Sequence, residues 1–133
     1  MGKSLIQTTN QSSQPVAVNS IIALGSVLRR FGCNCRLSGN AIEVEGDGYY
    51  EIDCSVTLTP TAVGNSTVAL YADGVQIPGA IATAGVSTVG NSVTVPIITT
   101  IRKGCCNGAS AITCVLVAGA STVNNISVRV TKA

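Results

Sequence analysis

The chain contains no histidine and no tryptophan among its 133 residues. The first absence removes the commonest general base and the commonest zinc ligand. Aromatic rings are scarce, limited to Phe31, Tyr49, Tyr50 and Tyr71. That argues against a platform for stacking sugars or single-stranded nucleic acid. Charge is scarce too: 11% of residues, net +2, where an ordinary soluble domain carries about 25%. So small a net charge does not draw a nucleic acid by its phosphates. Sustained helical periodicity is missing. No apolar run approaches the ~20 residues that span a bilayer, so no membrane partner is expected. The start, Met1-Gly-Lys-Ser-Leu-Ile6, is too short in apolar residues for a signal peptide, and Ile6 breaks the myristoylation pattern. Synthesis and assembly in the cytoplasm are therefore expected. No Gly-rich phosphate loop, no Ser/His/Asp set and no activated nucleophile is visible, so neither an enzyme nor a cofactor is expected.

β-branched residues are abundant. Val, Ile and Thr together number 43, which favours strands. The clearest strand runs from Gly46 to Pro60. Tyr50, Ile52, Cys54, Val56 and Leu58 form one face; Glu51, Asp53, Ser55, Thr57 and Thr59 form the other. Val68, Leu70 and Ala72 alternate in the next segment, and Asp73-Gly74 is a strong two-residue hairpin signal. Val75 and Ile77 return from it, and residues 80 to 90 read as a weakly patterned strand. Val93 to Ile101 form a further strand, with Pro96 placing it at an edge or a bulge. Residues 112–117 read as a strand buried on both faces. Ile126, Val128 and Val130 oppose Ser127, Arg129 and Thr131 in the last one. Before the central strand, Val16 to Leu24 read as one strand, Arg29 to Arg36 as a basic loop, and Ile42 and Val44 as a short strand. About eight strands between Gly/Pro/Asn turns indicate an all-β sandwich or jelly roll.

The division expected is a flexible polar arm over residues 1–14 and one domain over residues 15–133. The arm would carry attachment to a partner through Gln7 and Gln11, helped by the basic Arg29 and Arg30. The charge shortage predicts an outer sheet too apolar to stand alone in water, sheltered by other copies or by a larger particle.

Six cysteines are present. Cys54 and Cys114 fall at apolar strand positions and read as small buried hydrophobes. Cys33, Cys35, Cys105 and Cys106 fall in loops as Cys-x-Cys and Cys-Cys. Zinc ligands, disulfides and free thiols all stay open for these four.

Three pieces carry a resemblance. Gly48-Tyr-Tyr-Glu-Ile-Asp-Cys-Ser-Val56 resembles the Gly-x-Tyr strand of the C1q/tumour-necrosis-factor-like jelly rolls. Val68-Ala-Leu-Tyr-Ala-Asp-Gly-Val-Gln-Ile-Pro-Gly79 is similar to the hairpin that follows it there, and Asn125 to Val130 to the terminal strand. Within that superfamily the chain looks most like the C-terminal domain of collagen-like spore-surface glycoproteins and small phage or prophage structural proteins. It lacks their collagen stalk and most of their aromatics, and its paired cysteines are outside the pattern. The resemblance implies a homotrimer without catalytic activity. The central and terminal strands would be neighbours on the sheet facing the threefold axis. Tyr49, Glu51, Asp53, Ser127 and Arg129 would then lie at the trimer contact, with Arg129 expected to pair with Glu51 or Asp53. The role implied is a building block on a virion surface, decorating the head or forming a fibre knob and held to other virion proteins by the arm. The alternative is a receptor- or glycan-binding module of the same fold.

Overall fold

The structure, a computed structural model, describes residues 4–88, 90–103 and 109–132. Twelve strands are found among them: β1 (Leu5–Asn10), β2 (Gln14–Val16), β3 (Ser20–Ile21), β4 (Ser26–Phe31), β5 (Cys35–Ser38), β6 (Ala41–Val44), β7 (Gly48–Pro60), β8 (Gly64–Ala72), β9 (Val75–Val86), β10 (Val93–Lys103), β11 (Ser110–Ala118) and β12 (Ser121–Lys132). They form two antiparallel sheets. The first runs β10-β7-β12-β1-β4, with β2 added beside β12. The second runs β5-β6-β11-β8-β9, with β3 added beside β11. β9 packs against β10 at one margin and β4 against β5 at the other, which closes a jelly-roll sandwich.

The core follows the alternation of the strands. Tyr50, Ile52, Cys54, Val56 and Leu58 of β7 all point inward and are buried. Ile126, Val128 and Val130 of β12 flank them, and Leu70, Ile112, Cys114 and Leu116 answer from the opposite sheet. Tyr50 is fully buried, and its hydroxyl still reaches the carbonyls of Glu45 and Gly46 at 2.9 and 3.0 Å. A buried phenol needs such a partner. The Asn34 amide donates to Glu45 at 2.6 Å, and Ser4 Oγ donates to Asn34 at 2.8 Å. These bonds seal one end of the sandwich. The Asp73-Gly74 turn has φ of +53° and +82° at its two positions, as a tight hairpin requires. The Asp73 side chain also accepts a bond from the Ala111 amide at 3.0 Å.

The flexible arm expected over residues 1–14 does not hold. From Leu5 the chain is β1, paired with β12 on one side and β4 on the other. Ile6 and Thr8 are fully buried. Gln7, Thr9 and Gln11 gave the segment a polar composition, but a strand inside a sheet needs only its inward side chains to be buried. The basic loop expected over Arg29 to Arg36 is likewise two strands with a turn between them. Arg30 donates from Nε to the Cys35 carbonyl at 2.7 Å, tying β4 to β5 across the sandwich margin. The single strand expected from Val16 to Leu24 is two short ones, β2 and β3, with Val16, Ile22 and Leu24 buried.

Gly25 leads from this region into β4 and packs against the end of β1. Its φ is +83°, and a Cβ there would overlap the Thr9 carbonyl oxygen and Asn10. A left-handed L-residue costs about 1–2 kcal/mol before any overlap is counted. Gly25→Ala should therefore lower the unfolding free energy by about 2 kcal/mol or more, read as a reduced urea midpoint with an unchanged slope.

Candidate functional site

The face of the first sheet that points away from the core gathers the residues of interest. Register puts Arg29, Gln7, Arg129, Asp53 and Ile98 in one row across β4, β1, β12, β7 and β10. The next row carries Phe31, Leu5, Thr131, Glu51 and Thr100. On the other side lie Thr9, Ser127, Ser55 and Pro96. A shallow depression of about 400 Å³ opens in the middle, with Gln7, Asp53, Ser55, Ile98, Ser127 and Arg129 around it.

The geometry groups the expected contact residues. Tyr49, Glu51 and Asp53 on β7 stand beside Ser127 and Arg129 on β12, all on this outer face. Arg129 forms an ion pair with Asp53 inside the chain. Both side chains are partly exposed, so the pair contributes less than about 1 kcal/mol to stability. Glu51 has no ion-pair partner among the described residues. The Arg102 guanidinium sits 5.9 Å from the centre of the Tyr49 ring, a cation–π contact on the opposing strand.

This face is mixed, not uniformly apolar as the charge shortage suggested: Ile98, Phe31 and Tyr49 are exposed on it, and polar groups surround them. Hydroxyl groups do the covering. Thr57 and Thr94 share a hydrogen bond of 3.0 Å, and Thr59 and Ser92 one of 2.8 Å. Asn124 donates to Thr59 Oγ1 at 2.7 Å. These groups partly satisfy one another within the layer, and each hydroxyl pair keeps one O–H free for a covering surface to bond. Against this background Ile98 stands out, 78% exposed beside Asp53. No periodicity signal separates it from the rest of β10, because Ile97 and Ile98 are adjacent and one of them must point outward.

The attachment candidates fall differently. Gln7 and Arg29 belong to the row described above, and Gln11 is exposed just after β1. Arg30 is held by the Cys35 carbonyl. Cys33 is exposed and has no disulfide partner among the described residues, while Cys35 opens β5 and is buried, not in a loop as expected. Burial pushes the Cys35 thiol up to about 11, against the opposing pull of Arg30 and Lys132. Cys105 and Cys106 lie outside the described residues. Cys54 and Cys114 are both buried thiols, as their strand positions required. Among the described residues no group of three or more His, Cys, Asp or Glu side chains converges to hold a metal ion.

Connectivity and face geometry together define a tumour-necrosis-factor/C1q-like jelly roll. The chain is similar along nearly all its length to solved members of that fold. Murine APRIL matches with a TM-score of 0.76 at 10% identity, covering 99% of this chain and 100% of that one. The globular domain of zebrafish complement 1qA matches with a TM-score of 0.71 at 9% identity, covering 96% and 94%. PRD1 vertex protein P5 matches with a TM-score of 0.64 at 12% identity, covering 97% and 96%. No family model and no curated protein matches the sequence.

Proposed function

We propose that the chain is a structural protein that assembles as a homotrimer through the outer face of the β10-β7-β12-β1-β4 sheet and serves on the surface of a phage particle. The observation that carries this reading is the outer face itself. It combines hydroxyls bonded to one another, the Arg129–Asp53 charge pair, and large exposed side chains, Ile98 foremost with Phe31 and Tyr49. Such a surface gains from covering Ile98, and a covering copy would supply partners for Glu51. The likeness to a vertex protein supports the particle setting. Low charge and the absence of any recognisable catalytic set favour a building block over an enzyme.

In this arrangement Asp53 and Glu51 of three copies approach a common axis. Arg129 offsets one carboxylate per copy and limits the repulsion. Light scattering at micromolar concentration should give three times the 13.4 kDa chain mass. Arg129→Ala should leave the fold intact and make the association markedly more dependent on salt, because unpaired carboxylates then face one another. A stable single-chain mass for the unaltered protein would remove the reading. Immunogold labelling of purified particles tests the setting separately: label on the particle surface supports it, and label only in the lysate overturns it.

A further inference from the structure

Cys54 and Cys114 occupy the centre of the core from opposite sheets. Cys54 lies in β7 between Ile97 of β10 and Val128 of β12. Cys114 lies in β11 opposite Leu70 of β8. The margins fix how the sheets stack: β10 over β9 and β4 over β5 place β7 over β8, with β11 the next strand along. The two residues are 4% and 1% exposed. The neighbouring Cys54 thiol, and after it burial, hold the Cys114 thiol well above its ordinary pKa. Cys35 is no competitor. It pairs with Val44, which pairs with Ser110, four residues and about 13 Å along β11 from Cys114.

We propose that Cys54 and Cys114 are a poised thiol pair that closes into a disulfide across the two sheets when a low-molecular-weight disulfide reaches the core. Two apolar side chains would fill this space equally well, and two facing thiols add the capacity for a covalent link. The Cys54 thiolate attacks the oxidant's S–S bond and expels one small thiol. The Cys114 thiolate then attacks the mixed disulfide and expels the second. In sum two S–H bonds break and one protein S–S bond forms. The electron pair reduces the oxidant's S–S bond, and the two protons leave on the two small thiols. Burial and the neighbouring Cys54 thiol disfavour the Cys114 thiolate, so the pair is inert in the closed reduced sandwich and reacts as the sheets open. Stacked sheets stand about 10 Å apart, while a disulfide brings Cα atoms within about 7 Å. Closure therefore pinches the layers locally, as the inter-sheet disulfide of immunoglobulin sandwiches does. The consequence is a staple between strands far apart in sequence, absent while the surroundings are reducing and present after oxidation.

The test uses the full chain, purified reduced and incubated under native conditions with oxidised glutathione. Remaining thiols are alkylated, and the digest is mapped by tandem mass spectrometry. The expected result is a Cys54–Cys114 linked peptide pair, lost on reduction. A second protein carrying Cys33→Ser, Cys35→Ser, Cys105→Ser and Cys106→Ser together should lose the mass of two hydrogens on oxidation. Its thermal midpoint should rise and return with reductant, and adding Cys114→Ser should abolish both changes. The peptide map of the unaltered chain decides the question if the multiple variant does not fold. Both thiols still open to alkylation after prolonged oxidation would overturn the proposal. So would a link that forms only in denaturant, or one that joins either residue to a different cysteine.

Discussion

A chain that begins at Pro15 should not fold. Among the described residues β1 is the only sheet partner of β4 and one of the neighbours of β12, so its removal splits the first sheet. Ile6 goes with it, a fully buried side chain that contributes about 1.5–3 kcal/mol by burial alone. Six residue pairs with β12 are lost, and the backbone groups of β12 beneath them lose their partners. At about 1 kcal/mol net for each backbone bond, the deletion removes an amount comparable with the ~5–15 kcal/mol that holds a domain together. The measurement is circular dichroism and soluble yield of residues 15–133 beside the full chain. Ile6→Asp in the full chain should reproduce much of the loss, because it buries an unpaired charge in the same place. A free attachment arm would give the opposite result: a truncated chain as stable as the whole, and a harmless Ile6→Asp.

The reason β1 is hard to see in the sequence is physical. A strand announces itself by apolar side chains at every second position, and here the inward set is Ile6 and then Thr8, a buried hydroxyl. The outward set, Leu5, Gln7 and Thr9, is mostly polar because it joins the hydroxyl-covered face. β4 is masked in a similar way. Arg29 and Arg30 read as solvated, yet one extends the polar row and the other bonds the Cys35 carbonyl across the margin. By contrast β7, and β12 from Ile126 on, were legible, since their core positions are filled by Tyr, Ile, Val, Leu or Cys, whereas the start of β12 is hidden by the buried hydroxyl of Ser121 and a register shift between Val123 and Asn125. Asp73-Gly74 was legible for another reason, because its two positive φ angles are a local requirement. The row of Arg29, Gln7, Arg129, Asp53 and Ile98 joins five strands from distant parts of the chain. Only the sheet order brings it together, and sequence reasoning reached just the Asp53–Arg129 pair at its middle, through the resemblance.

Ile98→Arg should turn the proposed trimer into single chains while leaving the sandwich intact. In one chain Ile98 makes few contacts, so its replacement costs within about 0.5 kcal/mol. The new guanidinium also has a carboxylate at hand, since Ile98 faces Asp53 across the β10–β7 pairing. The urea midpoint of the monomer should therefore hardly move. In the assembly the same change replaces a covered apolar group by a cation in each copy, close to Arg129 of the shared face. Desolvating each charge costs several kcal/mol. At 1.4 kcal/mol for each tenfold, association should weaken by about a hundredfold or more. Sedimentation across a dilution series reads this directly. Val75→Arg is the control. Val75 is 69% exposed but lies in β9 of the other sheet, so it tests whether any bare hydrophobe would serve. Trimers lost with Ile98→Arg and kept with Val75→Arg locate the contact on the hydroxyl-covered face. Loss with both would make the contact a general effect of surface charge, and loss with Val75→Arg alone would move it to the opposite sheet.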